Sequence, residues 1–185
     1  EARAFAVKCL EEGSEASTAA LCCLVLGLRS GEILERKVRD VDVAPEGVIL
    51  YVPYGKTDAA RRQVDVPQPL AYMLAYLVVR REPQDWLFPG DTDSGHRRKE
   101  WLHGHVRRLC KDAGVPRVSP HGLRGTHTTL AARRGVAAEA VAKEIGHTSP
   151  EVTRKHYIIP GSEQVVSIKR VSKLLSNETQ SEPDE

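Results

Sequence analysis

Arg29 lies in a glycine-flanked bend, Gly27-Leu28-Arg29-Ser30-Gly31-Glu32, with a carboxylate three residues on that can hold its guanidinium. Lys56 occupies the turn Gly55-Lys56-Thr57-Asp58 between two strand-like runs, where it can project beyond a sheet edge. His121 and Arg124 are three apart near the start of a proline-led helix, so they share a side of it, and the helix terminus adds its own partial positive charge. His147 follows a glycine that should stop a helix, and Tyr157 comes ten residues later. Taken singly, each has an ordinary explanation: a surface salt bridge for Arg29, a solvated turn for Lys56, a cap for His121, a hydrogen-bonded loop residue for His147 and a half-buried aromatic for Tyr157. Taken together they are basic and nucleophilic groups gathered at element ends, which suits chemistry at an anionic centre.

Charge is distributed in the same sense. The 185 residues carry a net charge of only +2. Residues 96–134, however, hold ten Lys/Arg against two Asp/Glu, with five of the seven histidines, whereas residues 1–50 hold six against nine. A basic stretch inside a nearly neutral chain is the footprint of a surface that meets phosphates, although a solvated helix face would give the same count.

Other chemistries lack their signatures. The chain has no phosphate-binding P-loop, no dinucleotide Gly-x-Gly-x-x-Gly, no Gly-x-Ser-x-Gly elbow and no His-Glu-x-x-His. His103 and His105, two apart on a helix, point about 200° from each other and cannot chelate one ion. Cys9, Cys22, Cys23 and Cys110 form no Cys-x-x-Cys pair and read as reduced thiols. No metal or cofactor is expected. With 41% hydrophobic and 28% charged residues, no apolar run of ~20 and no signal peptide, the expectation is one cytoplasmic domain without a membrane partner. The initial glutamate suggests a piece of a longer protein.

The elements that must position these residues are mainly helical. Apolar periodicity and caps predict helices over 1–11, 17–27, a short turn over 30–36, then 68–81, 97–113, 120–134, 138–145 and 150–157. Residues 38–66 change to a period of two, in three runs separated by Pro45-Glu46-Gly47 and by the Lys56 turn, which predicts a three-stranded antiparallel sheet closed by Pro67. Ser119-Pro120 and Ser149-Pro150 are start signals, and Gly135 and Gly146 are stops. After Pro160-Gly161, residues Val165, Ile168, Val171, Leu174 and Leu175 define an amphipathic helix over 161–175, followed by an acidic, disordered tail over 176–185. The fold class is mainly α (α+β), with one small sheet.

The order Arg29, Lys56, His121-Gly122-Leu123-Arg124, Gly146-His147-Thr148-Ser149 and Tyr157 resembles the catalytic domain of the tyrosine recombinases, the phage integrase family. All six positions are filled, in order, across residues 20–160, and Trp86-Leu87-Phe88-Pro89-Gly90 and Leu123–Thr129 also resemble the family's connecting sequences. The resemblance implies a catalytic domain over 1–160 and an N-terminal DNA-binding module missing from this piece. It implies double-stranded DNA as partner, a monomer when free, and a tetramer on DNA joined through the C-terminal helix. It also implies a bacterial or phage source.

The chemistry so implied is physically coherent. Arg29 and Arg124 fork N–H bonds onto the nonbridging oxygens of a phosphodiester, Glu32 supports Arg29, and His147 donates a third bond. Tyr157, a phenol that is protonated at neutral pH, loses its proton to His121 as it attacks, and Lys56 protonates the leaving 5′ oxygen. The product is a 3′-phosphotyrosyl ester that a second 5′-hydroxyl can reverse without metal or ATP. A type IB topoisomerase uses a similar set on one duplex, and a non-catalytic DNA-binding module would need only the basic stretch. The glycine-flanked contexts of Arg29 and His147 favour the recombinase.

Overall fold

The computed structural model describes residues 1–53 and 61–146. The turn bearing Lys56, and residues 147–185 with His147, Tyr157 and the helices expected over 150–157 and 161–175, lie outside the described residues. Within them the chain runs α1 (Ala2–Glu12), α2 (Glu15–Val25), α3 (Ser30–Leu34), β1 (Val41–Ala44), β2 (Gly47–Val52), β3 (Arg62–Val66), α4 (Leu70–Val78), α5 (Lys99–Asp112), α6 (Pro120–Arg133) and α7 (Ala138–Ile145). It is mainly α with one small antiparallel sheet, as the periodicities predict.

Helix α2 is the axis of the molecule. Ser14 starts it: the Ser17 N–H donates to Ser14 Oγ at 3.1 Å while the Ser14 N–H donates to Ser17 Oγ at 2.8 Å, so two donors at the helix start are satisfied reciprocally. Ala16 to Leu24 are all buried, so the helix is apolar on every side and other helices surround it. Its small residues Ala19, Ala20, Cys22 and Cys23 let α1, α4, α5 and α6 come close. Burial pushes the thiols of Cys9 and Cys23 up to about 12 and raises that of Cys22 well above its ordinary value, so these cysteines are protonated core residues.

The sheet has the order β1-β2-β3. Val41 lies opposite Leu50, and Val52 opposite Arg62. Val48, Leu50, Val52, Val64 and Val66 face the core, as the period-two pattern requires. Two boundaries differ from the sequence expectation. Residues 38–40 form a 3₁₀ turn and not the start of β1, because the Asp40 carboxylate accepts the Lys37 N–H at 2.9 Å and closes a turn locally. Helix α4 is shorter than 68–81: Pro67 and Pro69 disfavour helix at the residues before them, and beyond Val78 the backbone turns extended at Val79 (ψ 128) and left-handed at Arg80 (φ 60).

Helix α5 buries Leu102, Val106, Leu109 and Cys110, one stripe of an otherwise charged helix. Ser119 caps α6 by accepting the Gly122 N–H at 3.1 Å, with Pro120 at the first helical position as the sequence predicts. Helix α7 packs on α6 through a small cluster of Ala131, Val136, Val141 and Ile145. It stops at Gly146, whose φ of +68 suits glycine. No helix among the described residues is long and apolar enough to cross a membrane.

Candidate active site

Three helix ends converge: the C-terminal end of α2 with the bend after it, the start of α6, and the C-terminal end of α7. The bend turns at Gly27, whose φ is +63, and a Cβ there would stand 2.8 Å from Ile145 Cγ2 and 2.9 Å from the His127 ring. Only glycine lets α6 and α7 approach the bend this closely. The next turn, α3, begins at Arg29, and its third residue, Glu32, reaches back.

Glu32 is buried and organises the site. Its Oε2 accepts the Arg29 backbone N–H at 2.8 Å, and its Oε1 accepts Arg29 Nη1 at 2.7 Å. Arg62, at the start of β3, donates Nη2 to Oε2 at 3.1 Å and Nη1 to Oε1 at 3.5 Å. Burial pushes the Glu32 carboxyl up, but the hydrogen bond and charge of Arg62, then the bonds from Arg29, outweigh it and hold the group below the usual carboxylate range. The Glu32 carbonyl is fixed as well, since the wholly buried Arg36 donates Nε to it at 2.6 Å.

Arg29 and Arg124 differ in exposure. The Arg29 side chain is 38% exposed and that of Arg124 only 3%. Arg124 donates Nη1 to the Gly27 carbonyl and Nη2 to the Ile145 carbonyl at 2.8 Å, and Nη1 stands 3.8 Å from Glu32 Oε2. Arg29 donates Nη2 to the Gly146 carbonyl at 3.4 Å. The two guanidiniums therefore sit at the last carbonyls of α7, where unsatisfied acceptors and the helix dipole both favour cations.

His127, one turn after Arg124 on α6, seals the other wall. Its Nδ1 bonds the Leu24 carbonyl near the end of α2 at 3.2 Å. Burial lowers its pKa to about 4, with the charge of Arg124 acting in the same direction against the bonds to Leu24 and Val25. It is a neutral, structural imidazole at working pH.

Of the residues singled out by sequence, the structure brings Arg29, Glu32 and Arg124 together. His121 is exposed at the second position of α6, one turn before the buried Arg124. Lys56, His147 and Tyr157 are outside the described residues; the described chain ends at Gly146, the residue before His147 in sequence, held by Arg29. Arg62 and His127 were not singled out. The strand parity carried a signal for the first: Arg62 is two and four residues before the inward-facing Val64 and Val66, and an arginine on the inner side of a strand needs a carboxylate. Among the described residues, no cluster of His, Cys, Asp or Glu could hold a metal ion.

The model of the phage integrase family matches residues 5–162. The chain belongs to the phage integrase family. An integrase-family relative, the putative integrase/recombinase y4eF of Sinorhizobium fredii, is 28% identical over 160 residues, covering 83% of this chain and 60% of the relative. The tyrosine recombinase XerA of Saccharolobus solfataricus is 28% identical over 128 residues, covering 69% of this chain and 40% of that one. Among solved structures, a XerA recombinase has a TM-score of 0.69 at 24% identity, over 87% of this chain and 57% of the other. A XerH site-specific recombinase bound to its difH substrate has a TM-score of 0.70 at 20% identity, over 84% and 48%. At these identities the structures share the fold. This integrase-family chain spans about half the length of the curated relatives it matches.

Proposed function

We propose that the chain is the catalytic part of a site-specific DNA recombinase that cleaves and rejoins strands through a 3′-phosphotyrosyl intermediate. The observation that carries this reading is the convergence of Arg29 and Arg124 on Glu32 and on the α7 carbonyls of residues 145 and 146. Those carbonyls belong to the two residues that immediately precede His147 in sequence. Arg29, the exposed member, meets a nonbridging oxygen of the phosphodiester, and Arg124 completes the cationic seat from beneath. Tyr157 supplies the nucleophile, His121 assists its deprotonation, His147 donates to the same phosphate, and Lys56 protonates the 5′ oxygen. The basic stretch supports DNA as the partner: Arg107 and Arg117 are exposed beside His103 and Ser119, lining one groove of about 450 Å³ between α5 and the start of α6. The names of the relatives, integrases and tyrosine recombinases, point the same way.

The test is incubation of the 185-residue chain with a pool of nicked duplexes of randomised sequence, followed by denaturing electrophoresis. A covalent protein–DNA band in the presence of EDTA is the expected result, and Tyr157→Phe should remove the band while DNA retention on a filter is unchanged. An adduct formed equally well by the phenylalanine variant would assign the nucleophile elsewhere.

A further inference from the structure

The groove between α5 and the start of α6 carries arginines that the described fold leaves without ion pairs. Arg107 and Arg117 line it with His103, Ser119 and one acid, Glu100. Among the described residues no carboxylate stands within 4 Å of either arginine, whereas Arg108, the next residue on α5, is held by Glu12 at 2.7 Å and by Asp112 at 3.0 Å. Lys111, one turn beyond Arg107, is exposed as well.

The chain also holds a segment of complementary charge. Residues 176–185, outside the described ones, carry four acids, Glu178, Glu182, Asp184 and Glu185, with no lysine or arginine and, Pro183 aside, no apolar side chain. Burial of apolar surface cannot hold such a segment, so charge is what can seat it. Between Gly146 and Ser176 stand 29 residues, which reach about 44 Å even at the rise of a helix. A domain of this size is about 40 Å across, so the groove lies within reach. The tether keeps the acids at a high effective concentration, and ion pairs that are weak singly then suffice.

We propose that the acidic segment 176–185 docks on its own chain in the Arg107–Arg117 groove, where its carboxylates stand in for phosphates and must leave before DNA can lie there. The docking itself does not depend on the functional reading; its competition with DNA rests on that reading.

The experiment places a nitroxide on the ¹⁵N-labelled 185-residue chain at Ser181→Cys; Cys9, Cys22, Cys23 and Cys110 are buried and escape the label. At low salt the amide signals of residues 103–107 and 117–119 should lose more than half their intensity. About 0.5 M salt should restore them, because exposed ion pairs are screened. Unbroadened groove signals overturn the proposal, whether the segment then ranges through solvent or pairs with Lys169, Arg170 and Lys173 just before it. So does equal broadening over the exposed faces of α1 and α4, the sign of a segment with no preferred seat. A second measurement reads DNA. Glu178→Gln, Glu182→Gln, Asp184→Asn and Glu185→Gln together should tighten binding of a random-sequence duplex about fivefold at low salt, but less than about twofold in an Arg107→Gln/Arg117→Gln background. An equal gain in both backgrounds would mean that the acids repel DNA from a distance, and that too overturns a docked segment. A chain that binds no duplex in any form sinks the functional reading, while the nitroxide still decides whether the groove holds the segment.

Discussion

Arg124 bridges two walls of the site, the Gly27 carbonyl on one side and the Ile145 carbonyl on the other. A guanidinium does this because its donors are spread over a rigid planar fork, whereas an ammonium is a point donor. Arg124→Lys should therefore leave one buried carbonyl without its donor, at about 1–3 kcal/mol in chemical denaturation. It should also reduce covalent DNA attachment by about two orders of magnitude or more, the scale seen when one preorganised transition-state donor is lost. Arg133→Lys, at an exposed position of the same helix, should change neither measurably. Attachment at the normal level in Arg124→Lys would remove the fork from the mechanism. Of this site, the pairing of Arg29 with Glu32 was legible in the sequence, because three residues along a helical turn is a local relation. The partners of Arg124 were not: Gly27 is 97 residues away, and no local pattern encodes that meeting.

At the scale of elements, the most informative contrast lies between two glycines with the same backbone. Gly13 and Gly27 have φ of +62 and +63, but a Cβ at Gly13 meets nothing within 4 Å, while at Gly27 it meets Ile145 and His127 below 3 Å. Gly13→Ala should cost about 1–2 kcal/mol, the left-handed backbone term alone. Gly27→Ala should cost about 1–3 kcal/mol more, because α6 and α7 must be pushed apart. Denaturant titration of the two variants measures the difference directly; equal losses would show that the bend is not tightly held. The same scale shows how far sequence reasoning reaches. Helices α2 and α5 were readable within a few residues from their apolar residues, and α6 and α7 because each also has a cap or a stop, such as Ser119-Pro120 before α6 and Gly146 after α7. The turn at 38–40 was not, since Asp40 looks like one more alternating strand residue until its carboxylate is seen on the Lys37 N–H.

For the molecule as a whole, the buried His127 sets the acid side of its stability. Its pKa is lowered to about 4 in the fold, against an ordinary value of 6.5, so the folded state favours the neutral ring. This contribution is fully present above pH 6.5 and is lost as pH falls from there toward 4, because the unfolded chain takes up the proton first. The loss should approach 1.4 kcal/mol per pH unit in mid-window and sum to on the order of 2–3 kcal/mol. Glu32, held low by its arginines, adds a second loss at more acid pH, below the ordinary carboxylate range. Denaturation midpoints measured between pH 7 and pH 5 separate the two, since carboxylates barely titrate there. His127→Gln should flatten the slope in that interval; an undiminished slope would assign it to other histidines.

The joints between the Gly27 bend and the end of α7 have a further consequence for the chain as it is made. Arg124 reaches back 97 residues to the carbonyl of Gly27, and Arg29 reaches forward 117 residues to that of Gly146. Closing such long loops is slow and gains nothing until both ends are present. On a translating ribosome, α1 to α5 can gather around α2 while the arginine seat still lacks the helix ends that hold it. A polypeptide arrested before residue 146 thus has Arg29 and Glu32 but no floor beneath them. Under the proposed function, a product stopped before residue 146 has no assembled seat for a phosphate, and competence to break a DNA strand cannot come before the end of α7 has been made.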